Sequence, residues 1–379
     1  MTPRRRWACA VAAVLALPAC RAANTQRSSS TAPVTAGVAV TTPVSSVPPP
    51  LPGESVYAHT GAGSLSDTVR TALPLVYVPN SESATVDVID PRTFRVVRHF
   101  AVGRLPQHVT PSWDLRTLYV DNDKGNSLTP IDPETGQPGT PIPVEDPYNL
   151  YFTPDGTRAI VVAERLHRLD FRDPHTWVMI ASVRVPCSGV DHADFSADGA
   201  TMFASCEFSG DVVRVDLRKP AVTAALHVGG QPVDVKLSPA GDVLYVANQR
   251  RNGVSIIDEA TFVEKGFTAT GAGTHGLEPS RDARWLYATN RTGGSVSVLD
   301  FTTGALRATW PVGGSPDMGG VSADGTTLWL SGRYDGAVYV IDTATGKVLH
   351  TIKVGRGPHG LCLWPQPGRY SMGHTGNMR

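Results

Sequence analysis

From Leu75 onward the apolar residues fall in short runs divided by turn residues. Seven runs end on an aspartate: Val86-Asp87-Val88-Ile89-Asp90, Pro130-Ile131-Asp132, Arg168-Leu169-Asp170, Val213-Arg214-Val215-Asp216, Ser255-Ile256-Ile257-Asp258, Ser297-Val298-Leu299-Asp300 and Tyr339-Val340-Ile341-Asp342. Successive final aspartates lie 42, 38, 46, 42, 42 and 42 residues apart. A second mark keeps the same phase: Leu75-Val76-Tyr77-Val78, Leu118-Tyr119-Val120, Leu244-Tyr245-Val246, Leu286-Tyr287-Ala288 and Leu328-Trp329-Leu330. So do the turns Thr153-Pro154-Asp155-Gly156, Ser196-Ala197-Asp198-Gly199, Ser238-Pro239-Ala240-Gly241 and Ser322-Ala323-Asp324-Gly325. Asp-Gly between apolar runs is a strong hairpin signal. Each period therefore holds about four short strands.

A fixed period of this length with four strands per unit predicts a β-propeller, all-β, with one blade per repeat. A single blade exposes both faces and both edges; stacking blades around an axis buries the faces, and closing the ring protects the edges. Seven marks predict seven four-stranded blades over residues 73–366. The first repeat enters at Leu75, at its second strand, and the last unit, Pro358-His359-Gly360-Leu361-Cys362-Leu363-Trp364-Pro365, is an inner strand alone. The C-terminal strand is thus expected to complete the N-terminal blade.

The first 72 residues lack this rhythm. Arg4, Arg5 and Arg6 precede an unbroken apolar run from Trp7 to Leu17, too short for the ~20 residues a membrane span needs but suited to a signal peptide, here 1–19. Leu17-Pro18-Ala19-Cys20 resembles a bacterial lipobox, which makes Cys20 the expected lipidation site, with ordinary secretory cleavage as the alternative. Residues 20–72, rich in Ser, Thr and Pro, are expected to form a disordered linker to the membrane. The expected location is extracytoplasmic and lipid-anchored. Gly 37 and Pro 31 make up about 18% of the 379 residues against a usual ~12%, in keeping with many turns. Lys+Arg 34 balance Asp+Glu 34, so a general nucleic-acid coat is excluded and nucleic acid is not an expected partner.

The repeats Leu244-Tyr245-Val246-Ala247-Asn248 to Asp258, Leu286-Tyr287-Ala288-Thr289-Asn290 to Asp300, and Asp342-Thr343-Ala344-Thr345-Gly346-Lys347-Val348 to Gly355 resemble those of the YVTN-repeat β-propeller family. The resemblance spans the whole folded region. It implies the propeller fold and an exported or surface protein, and it implies kinship with the propellers of cytochrome cd1 and nitrous oxide reductase. Repeats two and three depart most, at Gly136-Gln137-Pro138 and Arg165-Leu166-His167.

Inner strands line a propeller's channel, so their first residues are the candidate ligand-binding positions at the channel mouth: His108, Asn149, Asp191, His192, Asp234, His275, Asp317 and His359. Imidazoles suit Zn, Cu or Ni, which makes His108, His192, His275 and His359 the candidate metal ligands; nitrous oxide reductase similarly holds copper with propeller histidines. His108 and His192 lie one residue later than His275 and His359, and alternate strand residues point opposite ways. A water-filled polar channel is the alternative. Arg250, Arg251, Arg291 and Arg333, on loops of the same face, are candidates to draw an anionic ligand, with a solvated rim of mixed charges as the alternative. Asn80, Asn122, Asn248 and Asn290 recur at the ends of second strands, where turn hydrogen bonds are their expected work. Cys187 and Cys206 flank one hairpin and are expected to form a disulfide in an oxidising compartment, and Cys362 to be a buried thiol. No Gly-x-Ser-x-Gly, His-Glu-x-x-His or Walker motif is present. The reading is a binding or scaffold module for a protein, peptide or anionic ligand, with no catalytic residue or cofactor assigned. The alternative is a metalloprotein or enzyme using the His/Asp ring.

Overall fold

The computed structural model describes residues 54–379; the signal segment 1–19, Cys20 and linker residues 20–53 lie outside the described residues. Seven antiparallel sheets make a seven-bladed propeller. Blade 4 typifies the plan, running outward through Val190–Phe195, Thr201–Cys206, Asp211–Asp216 and Ala221–His227. Inner and second strands are buried on both faces because a neighbouring blade lies against each; hence their apolar runs do not alternate. Outer strands face water on one side and alternate residue by residue, as in Ala221–His227 and Val263–Ala269. Blade 2 departs at its edge. There Gln137–Pro138 and Ile142–Pro143 replace one continuous outer strand, because proline cannot donate to a ladder.

The ring closes as the repeat phase predicts. Cys362–Trp364 is the inner strand of blade 1 and pairs with Leu75–Asn80 through Leu75↔Trp364, Val76↔Leu363 and Tyr77↔Cys362. Leu361 and Cys362 are fully buried beside it. Three of the four repeated asparagines tie the second strand of their blade to its third, and Asn248 instead donates to Gly229 O at the exit of the preceding blade at 2.9 Å. Asn122 donates to Ser127 and Thr129 of its own third strand, and Asn290 to Ser295 and Ser297. A Cβ at Gly103, Gly271 or Gly355 would lie 2.6, 2.7 or 2.7 Å from Asn122, Asn290 or Asn80, so glycine lets the preceding blade's exit pass over each asparagine.

Two segments outside the repeats pack against the propeller. The last part of the expected linker, residues 54–72, is packed rather than a free tether. Val56, Tyr57 and Val69 are buried, Tyr57 Oη donates to Leu237 O at 2.9 Å, and Ser66 caps a short 3-10 turn, Asp67–Val69. Three apolar side chains suffice to dock a stretch whose average composition reads as polar. The tail, 367–379, enters the channel from the underside. Phe152 N donates to Met372 O at 3.0 Å and His374 N to Leu150 O at 2.8 Å, so the tail supplies partners for the free edge of the blade 3 inner strand. Arg379 Nη2 reaches Asp194 Oδ1 at 2.8 Å.

Cys187 and Cys206 are disulfide-bonded, with Cα atoms 6.0 Å apart and a separation of 19 positions in sequence. Cys362 is free and buried, and burial pushes its thiol up to about 12. Two outcomes are expected. Leu361→Ala should lower the unfolding free energy by about 2–5 kcal/mol in denaturant titration, and a change below about 0.5 kcal/mol would contradict the latch. Replacing both disulfide cysteines by serine should cost about 3 kcal/mol through the freed loop, checked by comparing denaturation midpoints of variant and parent.

Candidate functional site

One irregularity recurs where the inner strands begin. Between inner and second strands the pairing jumps from Pro106 to Val109, Val190 to Ala193, Pro232 to Val235, Thr274 to Leu277 and Pro316 to Gly319. Such bulges re-aim side chains. The skipped pairs are Gln107-His108, Asp191-His192, Val233-Asp234, His275-Gly276 and Asp317-Met318, so both alignment columns of histidine are released from strict alternation. Hydroxyls on the second strands satisfy the displaced backbone: His192 N donates to Ser205 Oγ at 3.2 Å and Gly276 N to Thr289 Oγ1 at 2.7 Å.

Asp317 organises one half of the channel. Arg291 donates to its Oδ1 through Nε at 2.8 Å and Nη2 at 2.6 Å, and His359 Nδ1 lies 2.7 Å from Oδ2. His275 Nδ1 is 2.9 Å from Oδ1, and its Nε2 meets Arg291 Nη2. Burial opposes ionisation of Asp317, but Arg291, His275 and His359 outweigh it and hold the carboxyl well below the usual range. Burial, then Arg291, pushes His275 down to about 3; burial, then Arg333, holds His359 far below the usual imidazole range.

Three imidazoles face one another in the other half. His108 Nε2 and His192 Nε2 are 3.2 Å apart. The third, His374, comes from the tail, and one ligand nitrogen from each of the three lies within 4.8 Å of the others. Burial first, then neighbouring histidines, holds His108 and His374 far below their usual range; burial lowers His192 to about 4. All three rings are therefore neutral at pH 7.

The remaining expected residues divide. Asn149 Nδ2 reaches Tyr151 Oη at 3.2 Å and His374 Nδ1 at 3.3 Å, so it positions the tail histidine. Asp234 is a tie between blades: it takes Lys236 Nζ at 2.9 Å and Leu277 N at 2.8 Å. Of the four rim arginines, Arg291 and Arg333 line the mouth cavity, which measures about 580 Å³ and is also bounded by Tyr148, Glu164, Glu207 and His359. Arg250 is exposed, and Arg251 turns outward to Glu264 Oε1 at 2.6 Å and over the Phe267 ring at 4.2 Å. The four arginines therefore do not form one basic arc, because Glu264 on the outer strand draws Arg251 away.

The family model for YNCE-like beta-propellers matches residues 32–367. The chain belongs to that family. No curated protein matches it in sequence. Among solved structures it is similar to Kuenenia stuttgartiensis hydrazine synthase, with 22% identity, TM-score 0.62, and coverage of 80% of this chain and 99% of that one. It is also similar to a functionally unknown protein from Desulfotomaculum acetoxidans, with 17% identity, TM-score 0.64, and coverage of 77% and 99%. A putative 6-phosphogluconolactonase from Bacteroides uniformis gives 16% identity, TM-score 0.64, and coverage of 76% and 98%. At such identities the likeness is one of fold.

In this YNCE-like propeller, His374 escaped the reading of repeats because it lies beyond the last one. Its only signal was a histidine between glycines, Gly373 and Gly376, in the short tail. Glu164 and Glu207 follow second strands, at the start of loops. Burial first, then Asp191, raises each to about 8. A folded pKa above the unfolded carboxylate value means the folded chain holds protons that the unfolded chain has released. Their contribution to stability is thus complete below about pH 4.3 and lost as pH rises to about 8. Glu164→Gln with Glu207→Gln should flatten the fall in melting temperature between pH 5 and 8 at constant ionic strength. A fall as steep as the parent's would contradict this assignment.

Proposed function

We propose that the protein is an exported, lipid-anchored binding module whose propeller takes a small anionic ligand at the channel mouth. The observation that carries this reading is Arg333. It lines the mouth cavity, donates through Nη1 to Ser81 Oγ at 3.1 Å, and has no ion pair among the described residues. Arg291 stands beside it with its charge matched by Asp317. Glu164 and Glu207, raised to about 8, are largely uncharged at pH 7 and leave the cationic character of Arg333 unopposed. An uncharged carboxyl also donates a hydrogen bond, which a carboxylate or phosphate accepts. Cys20 and the apolar segment before it support attachment to the outer face of the cell membrane, and the linker would hold the mouth free for a ligand or for an acidic peptide of a protein partner.

Calorimetric titration with citrate and with inorganic phosphate, each at low salt, tests the mouth. Saturable binding by one of them is expected, weakened about 10- to 100-fold by Arg333→Ala, as losing a charged hydrogen bond of about 1.5–3 kcal/mol implies. Failure of both probes to bind, or equal binding by the variant, would refute the reading. Incorporation of labelled fatty acid into the parent but not into Cys20→Ala checks the anchor.

A further inference from the structure

We infer that His108, His192 and His374 form a site for one divalent transition-metal cation of the Zn, Cu or Ni class, with the C-terminal tail supplying the third ligand. The inference rests on residues below the mouth and is independent of the anion reading.

The geometry comes first. Two imidazole nitrogens bound tetrahedrally to one cation at about 2.0–2.1 Å stand about 3.3–3.4 Å apart. His108 Nε2 and His192 Nε2 already stand 3.2 Å apart. The third nitrogen, within 4.8 Å of both, belongs to a side chain on the tail and not on a blade strand, so a ring rotation closes the gap without moving a sheet.

Hydrogen bonding on the far side of the His108 ring agrees. His108 Nδ1 is 3.0 Å from Tyr148 O, a contact that only an Nδ1–H makes favourable. In a neutral ring Nε2 then carries the lone pair. His192 Nδ1 lies 2.6 Å from Asp191 Oδ1. An oxygen acceptor behind a histidine is the arrangement that orients metal-bound imidazoles.

Unmet bonding is the second, separate observation. A single proton shared between His108 and His192 satisfies that pair and nothing else. His374 Nε2 is buried without a hydrogen-bond partner, and so are His192 Nδ1 and both oxygens of Asp191, which approach each other without hydrogen-bond alignment. Buried polar atoms are rarely left so. A cation engages all three rings at once and gives the Asp191 carboxyl a positive charge to face. Neutral imidazoles select borderline metals over Ca or Mg, which require oxygen ligands. Metal binding would also fasten the tail inside the channel, since His374 lies between the tail's contacts to Phe152 and Ala193.

The test uses the full chain without a polyhistidine tag, stripped with a chelator and titrated separately with Zn(II) and Cu(II). One equivalent is expected to bind, with nitrogen splitting in the Cu(II) paramagnetic resonance spectrum. His374→Ala should weaken Zn(II) at least 100-fold while keeping the parent's circular dichroism. His227→Ala, on an exposed outer strand, should leave binding unchanged. If His374→Ala misfolds, the parent's spectrum decides. Absence of stoichiometric binding, a Cu(II) spectrum without nitrogen splitting, or unchanged Zn(II) affinity in a folded His374→Ala would each overturn the inference.

Discussion

The backbone ladder between Cys362–Trp364 and Leu75–Asn80 is the constraint on which the rest of the molecule depends. Each blade is a small sheet with two broad apolar faces, and those faces are buried only while both neighbours are in place. A propeller open at one joint would expose an inner edge of unpaired amides together with two blade faces. Strand exchange between the chain's ends removes that joint by using hydrogen bonds identical in kind to those inside every other blade. Closure also sets the channel's width, so the distances between side chains from blades far apart in sequence follow from it.

A closed ring creates a difficulty of its own at the axis. Inner strands have no further strand to pair with on their channel side, and their free amides must find acceptors away from water. The chain meets this with carboxylates: Asp194 accepts from Leu237 N, Asp234 from Leu277 N and Glu278 from Gly319 N, each bond running from one blade to the next. Where no carboxylate is available, as at Leu150 and Phe152 of blade 3, the tail folds in. The acidic residues of the channel therefore belong to two groups. Asp194, Asp234 and Glu278 hold blades together, whereas Asp191 and Asp317 stand among histidines and set their surroundings.

That division explains the asymmetry of the channel. Asp317, ionised and gripped by Arg291, faces His275 and His359. The opposite half holds three uncharged imidazoles, and among the described residues no cationic side chain is bonded to them. Bulges at the starts of the inner strands allow the two halves to coexist, because they free each pair of residues from alternation and let histidines of both columns reach the axis.

The periodic aspartates, the Asp-Gly turns and the missing first strand were local features, and local patterning with a fixed period was enough to determine the blade count, the closure and the course of the inner strands. The asparagines at strand ends and the cysteines flanking one hairpin were legible for the same reason, since their partners lie within one repeat or the next. What depends on atoms brought together from distant blades was not legible. Asp234 and Asp317 both stand in the skipped pairs of their inner strands, one residue out of phase, yet a lysine two residues on draws one into the wall while an arginine from another blade makes the other a centre of charge. Strand alternation predicted that His108 and His192 would point away from His275 and His359, and the bulges overrode it. His374 joined the ring only because the tail threads the channel, a consequence of free amides at the axis that no periodic signal records. Sequence patterning thus decided the scaffold, which repeats, and tertiary packing decided the site, which does not.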